Sequence, residues 1–207
     1  MKKKLYNGCA GFGANTHLLN REDYEITHTE MFNDIADVNQ IIHPGDKVIV
    51  TDSFKYFQDH HEEFEIATFS PNCQSHSRMV KATRHNVNRI PDMTGLYGLI
   101  IFLQNFYEGD WVVENVVPFY KPLIEPTLRV GRHLFWSNKP LFGIEDIKRP
   151  SGFINKSTKK GADELKTWLG LDFEGYVYYK GNHCPAQTLR NCVHPYLGKQ
   201  IIEQLSK

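Results

Sequence analysis

The chain has 207 residues, enough for one sizeable hydrophobic core and few for two. Hydrophobic residues make up 41%, and no apolar run reaches the roughly eighteen residues of a spanning helix, so no membrane segment is expected. Lys plus Arg and Asp plus Glu both number 24, so net charge offers no argument for a nucleic-acid partner and leaves that question to how the charges are distributed.

Met1-Lys2-Lys3-Lys4 is a basic start, but Asn7 and Gly8 interrupt it before an apolar stretch builds. This predicts no secretion signal and a cytoplasmic location. Lys4–Tyr6 reads as a first strand running into the glycine-rich turn Asn7-Gly8-Cys9-Ala10-Gly11-Phe12-Gly13, with a helix of about ten residues following through Leu18-Leu19. Tyr24–Glu30 is a second strand, and Phe32–Ile42 a helix stopped by Pro44-Gly45. Lys47–Thr51 is a third strand before Asp52, and Phe64–Phe69 a fourth before Ser70-Pro71.

Between Arg78 and Arg89 the chain carries Arg78, Lys81, Arg84, His85 and Arg89 without an acid, a pattern that alone reads as a solvated loop. Leu96, Leu99, Ile100, Leu103 and Phe106 recur at helical spacing within Thr94–Tyr107. Trp111–Val113 is a fifth strand and His133–Trp136 a sixth. From about Lys148 the composition turns polar, with a short helix at Ala162–Leu169, a strand at Gly175–Tyr179 and a final helix at Pro195–Leu205.

Alternating strands and helices predict an α/β fold, a mostly parallel sheet with helices on both faces. In such sheets ligands gather beyond the carboxyl ends of the strands. Gly8, Glu30, Asp52, Cys73 and Glu114 fall at five successive ends. The small residues around Gly8 would let a ligand approach the backbone, and a tight turn would need them equally. Glu30 stands where an acid accepts from ribose hydroxyls, and Asp52 where one accepts from an adenine amino group; together the three ends predict an adenosine-containing cofactor.

Cys73 follows Pro71 and precedes the polar run Gln74-Ser75-His76-Ser77, unlike the surroundings of an inert core cysteine. Arg78 is expected to lower its thiol pKa. Glu114 ends the apolar run Trp111-Val112-Val113, where a carboxyl needs a partner. A nucleophile and a proton-bearing carboxyl at neighbouring strand ends suggest covalent chemistry on a heteroaromatic ring. Cys9, Cys184 and Cys192 fit packing better than metal ligation: no C-x-x-C pair is present, and no metal is expected.

Taken in order, these residues resemble the cytosine-5 DNA methyltransferases. Leu5 to Phe12 is similar to the family's first cofactor motif, Ser70-Pro71-Asn72-Cys73-Gln74 to its nucleophile motif, and Trp111 to Val116 to its Glu-Asn-Val motif. Leu128 to Arg132 resembles the arginine motif and Arg190 to Val193 the closing motif. The resemblance implies a Rossmann-like S-adenosylmethionine-dependent methyltransferase fold. It implies catalytic roles for Cys73, Glu114, Asn115 and Arg132, with Asn115 and Arg132 orienting the base and Glu114. The cofactor would lie against Tyr6, Gly8, Gly11, Phe12, Glu30, Met31, Asp52, Ser53, Pro71, Asn191 and Cys192, and leave as S-adenosylhomocysteine. DNA would meet Gln74, Ser75, Ser77, Arg78, Lys81, Arg84, Arg89 and Arg129.

The implied activity is methylation of carbon 5 of cytosine in DNA, through Cys73 added to carbon 6 of a flipped-out base. Asn72 stands where the family has a second proline, which predicts a less rigid loop. The region between the arginine and closing motifs is short for a family that chooses DNA sequences there. We therefore expect a core over 1–146, a recognition-like insertion over 147–186 and a returning helix over 187–207, with a protein partner or homodimer as one source of target recognition. The alternatives are a recognition-deficient subunit or inactive homologue, and a tRNA cytosine methyltransferase; the chain lacks the Cys-Phe-Thr signature of the best-known family of the latter kind.

Overall fold

The structure is a computed structural model, and it describes residues 1–79 and 90–207. The strands are β1 (Lys3–Gly8), β2 (Tyr24–Glu30), β3 (Lys47–Val50), β4 (Ile66–Phe69), β5 (Asp110–Val116), β6 (Leu128–Val130) and β7 (His133–Ser137). The α-helices are α1 (Asn33–Ile42), α2 (Ser53–His60), α3 (Leu99–Phe106), α4 (Lys159–Leu169), α5 (Gln187–Asn191) and α6 (Pro195–Leu205). One seven-stranded sheet runs β3-β2-β1-β4-β5-β7-β6. Its first five strands are parallel, and β7 is antiparallel to both β5 and β6. This is the mostly parallel α/β architecture that the alternation of elements predicts.

Neighbouring residues on the central strands point to opposite faces, and each face has its own apolar cover. Tyr6, Ala67, Val113 and Leu134 pack with Phe57, Leu99, Ile100 and Leu103 from α2 and α3. Leu5, Ile66, Val112 and Phe135 pack with Leu197, Ile201, Ile202 and Leu205 from α6. Buried on both sides, these strands read as short continuous apolar runs rather than as alternations.

A third apolar cluster includes residues of the segment over 147–186. Phe153, Ala162, Leu165, Leu169, Leu171 and Phe173 pack with Phe12, Ala14 and Ile35 of the first half of the sheet. Within 147–186 there is thus a wall of the core. α4 begins at Thr158, whose side chain accepts from the Gly161 amide, and ends at Gly170 in the left-handed conformation.

Some local expectations shift. The segment leading to Leu19 holds only a 3₁₀ turn, Ala14–Thr16, in place of a ten-residue helix. Gly11 and Gly13 both have positive φ, and Asn15 is drawn into a reciprocal amide pair with Asn7, each donating over 3.0 Å. The turn is short because α6 crosses it: a Cβ on Gly198 would stand 2.6 Å from the Asn15 Cα. Gly175–Tyr179 is not a strand. The Lys166 ammonium donates to the carbonyls of Phe173 and Gly175, so they fold back on α4 without a sheet neighbour. Helix α2 and strand β6 are additional to the predicted elements; Asp52 caps α2 by accepting from the Lys55 amide over 2.9 Å.

Candidate active site

The carboxyl ends of β1, β2, β4 and β5 open on one cavity of about 390 Å³. Gly11, Glu30, Met31, Asp52, Ser53, Pro71, Cys73, Glu114, Arg132, Asn191 and Cys192 all line it, which brings together eleven of the residues singled out in the sequence. In parallel sheets this edge is where side chains from separated segments converge on a ligand.

At one end, Glu30 is buried and its carboxyl is tied to the backbone. Oε1 accepts from the amides of Met31 (2.8 Å) and Phe32 (3.2 Å), and Oε2 from Gly11 (3.0 Å). Burial raises its pKa against the pull of these bonds. Ser53 Oγ donates to the Thr29 carbonyl and accepts from the Cys9 amide over 2.8 Å, fixing the turn after β1 to the start of α2. Cys9 holds a positive φ of 53°, a conformation that costs a non-glycine residue energy and persists where neighbours enforce it.

At the other end, Cys73 stands on a braced loop. Its carbonyl accepts from the amides of His76 and Ser77, and the Asn115 side chain donates to the Pro71 carbonyl over 3.1 Å. Asn72 Oδ1 accepts from the Gln74 amide over 2.9 Å. This is an Asx-type turn at the position where the family has a second proline. Burial first, and then the Glu114 carboxylate, push the Cys73 thiol up to about 11. The cation that pulls it down is Arg132. Arg78, expected in that role, instead points its Nε at the Pro118 carbonyl, 3.4 Å away.

Glu114 Oε1 and His133 Nδ1 share a hydrogen bond of 2.6 Å, and both residues are buried in the cavity wall. Arg132 donates through Nη2 to the Arg190 carbonyl and lies over the Phe153 ring, 5.1 Å from its centroid. Its Nε and the Thr188 hydroxyl are buried without a hydrogen-bond partner among the described residues. Burial lowers the Arg132 pKa, and Arg149 adds to the effect.

Several sequence-singled residues lie elsewhere. Tyr6 is fully buried among Phe57, Phe64 and Phe69, with its hydroxyl at 2.6 Å from Thr29 Oγ1 and from the Ser53 carbonyl. It braces the α2 side rather than facing the cavity. A Cβ on Gly8 would collide with the Phe69 ring, so packing accounts for that glycine. Phe12 is buried against Phe173, with ring centroids 5.2 Å apart. Asn115 holds the Pro71 loop and its own turn and does not line the cavity.

Gln74, Ser75, Ser77 and Arg78 lie outside the lining, on the loop around Cys73. Ser75 Oγ accepts from the Asp92 amide and Ser77 Oγ from the Met79 amide. Arg129 is exposed on β6. Lys81, Arg84 and Arg89 lie outside the described residues. His133, Thr188 and Lys180 line the cavity without having been singled out. His133 was legible only through strand register: in the antiparallel β5–β7 pair, Val116 faces His133 and Glu114 faces Phe135.

No family model matches the chain. No curated protein matches it either. Among solved structures, methyltransferase EhMeth of Entamoeba histolytica is 11% identical at a TM-score of 0.59, covering 99% of this chain and 98% of that one. A mutant of Spodoptera frugiperda DNMT2 is 12% identical at a TM-score of 0.58, and the likeness covers both chains fully. At such identity the likeness is one of architecture: the chain has the Rossmann-like fold of these methyltransferases.

Proposed function

We propose that the chain is an S-adenosylmethionine-dependent methyltransferase acting on carbon 5 of cytosine in DNA. The observation that carries this reading is the convergence of Cys73, Glu114, Glu30 and Asp52 on one cavity at the carboxyl edge of the sheet.

The cavity fits the cofactor. Glu30 spends one acceptor position of Oε2 and two of Oε1 on amides, which leaves Oε2 free to accept once more, as from a ribose hydroxyl. Gly11 has nothing within 4 Å of where a Cβ would stand, so a ligand can lie against its backbone. Thr188 offers a buried hydroxyl with no partner among the described residues. Glu30, Asp52, Gly11 and Asn191 would hold S-adenosylmethionine, which when bound supplies an electrophilic methyl group.

The chain's own residues prepare the base. Carbon 5 of cytosine is a weak nucleophile until carbon 6 carries a thiolate. Cys73 would lose its proton to solvent and its thiolate form the S–C6 bond, shifting the C5=C6 electron pair to C5=C4, while Glu114 gives a proton to N3 as the C4=N3 pair moves onto that nitrogen. After substitution at carbon 5, that carbon's proton passes to water, its electron pair re-forms C5=C6 as the S–C6 bond breaks, the thiolate takes back a proton from solvent, and N3 returns its proton to Glu114. Carbon 6 is shielded in a stacked duplex, so the target must be flipped out.

A second reading concerns target choice. Phe153, Ala162, Leu165, Leu169, Leu171 and Phe173 of the segment over 147–186 pack in the core, which leaves only part of this short segment for target contacts. This favours a partner chain or a second copy as the source of sequence recognition. Transfer of tritium from labelled S-adenosylmethionine to duplex DNA, single-stranded DNA and tRNA is the test. DNA labelling is expected; bound cofactor with no labelling of any substrate would sink the enzyme reading, and labelling of tRNA alone would move the substrate.

A further inference from the structure

We propose that His133 is the positioning residue of Glu114: its Nδ1–H donates to Oε1, leaving Oε2 as the oxygen that carries the proton to the base. This rests on the reading above, in which Glu114 protonates N3 of cytosine.

The pair is built by the sheet. His133 on β7 and Glu114 on β5 are diagonal neighbours on one face, continuing the line of Phe135 and Val112. The Nδ1–Oε1 distance of 2.6 Å lies at the short end for a hydrogen bond between these groups. Asn115, next to Glu114, bonds the Pro71 carbonyl and the Val116 amide, and Arg132 Nη2 bonds the Arg190 carbonyl, which leaves Arg132 Nε unpaired among the described residues.

A carboxylic acid places its proton on one of two oxygens, and the one already accepting from an N–H is the poorer site. The bond from His133 therefore decides which oxygen donates. As the Cys73–C6 bond forms, the Oε2 proton passes to N3 and the new carboxylate faces Nδ1–H. When that bond breaks, the proton returns to Oε2.

The test compares His133→Asn, whose amide N–H stands near the Nδ1 position, with His133→Leu, which has no donor. Wild-type methyl transfer, kcat, KM for S-adenosylmethionine and melting temperature are measured together. His133→Leu is expected to lose on the order of 10²-fold in kcat, with cofactor KM and melting little changed, and His133→Asn to recover most of that loss. Equal activity of His133→Leu and wild type, or His133→Asn no better than His133→Leu, would overturn the proposal. Nitrogen-15 NMR of the His133 ring supplies a readout independent of turnover. A proton on Nδ1 whose shift changes in Glu114→Gln is expected; a bare Nδ1 overturns the assignment even if His133→Leu fails to fold. A wild-type protein that moves no methyl group defeats the functional reading instead, and the ring tautomer then decides the pair by itself.

Discussion

Cys73 sits between two opposite charges, and the balance sets its reactivity. Burial and Glu114 hold the thiol protonated at neutral pH, at about 11, while Arg132 works against them. Since the thiolate is the reactive form, the thiol of the free protein is held in its unreactive state. Alkylation of Cys73 by iodoacetamide is expected to climb from pH 7 to pH 10 without levelling. Glu114→Gln should speed it and Arg132→Met slow it, because one removes the raising charge and the other the lowering one. A plateau below pH 9 would contradict this balance. Cys73→Ser should abolish methyl transfer and leave cofactor affinity within about twofold, checked by tritium transfer and calorimetry, because a hydroxyl is a far poorer nucleophile at neutral pH.

At the scale of elements, glycine marks where backbones meet. α6 crosses the 3₁₀ turn at Gly198, and any side chain there would enter the Asn15 backbone. Gly198→Ala is expected to cost about 1–3 kcal/mol or more, seen as a lower urea midpoint; an unchanged midpoint would mean the turn gives way freely. The turn lies beside Gly11, so the same substitution should weaken cofactor binding. Elements legible in the sequence were those with a long apolar signal: β2 and α6 end where patterning ends them. The apparent helix to Leu19 and the apparent strand at Gly175 were short, and partners distant in sequence decided both.

Across the whole molecule, a buried polar chain ties the first half of the sheet together. Asn7 bonds His28, His28 bonds Asp46, Asp46 takes both arms of Arg21, and His17 bonds His43. His28, His43 and Asp46 place ligand-type atoms within 4.8 Å of one another, yet Arg21 occupies both carboxylate oxygens and hydrogen bonds use the ring nitrogens, so the network closes without an ion. Burial first, then His28 and Arg21, hold the His43 pKa down at about 3. Burial pushes Asp46 up, but the hydrogen bonds from His28 and Arg21 outweigh it and bring it to about 2. Burial lowers His17 and His28 as well.

Each of these groups has a folded-state pKa below its unfolded one. The stability they supply is complete above the unfolded values and lost as pH falls towards the folded ones. The unfolding free energy, read from urea titrations, should therefore fall between about pH 6.5 and pH 3, with His43 contributing up to about 1.4 kcal/mol per pH unit. His43→Gln should flatten that slope. An equally steep slope in the variant would place the acid sensitivity elsewhere.

The sequence by itself determined the α/β class and the placing of Cys73 and Glu114 at the carboxyl edge, where both line one cavity, because strand ends and apolar runs are local signals. Tertiary structure alone decided that Tyr6 and Gly8 serve the core, that Arg132 rather than Arg78 acts on the thiol, and that His133 holds Glu114. The physical reason is reach: these outcomes depend on strand register and face, which bring together residues tens of positions apart and which no local pattern encodes.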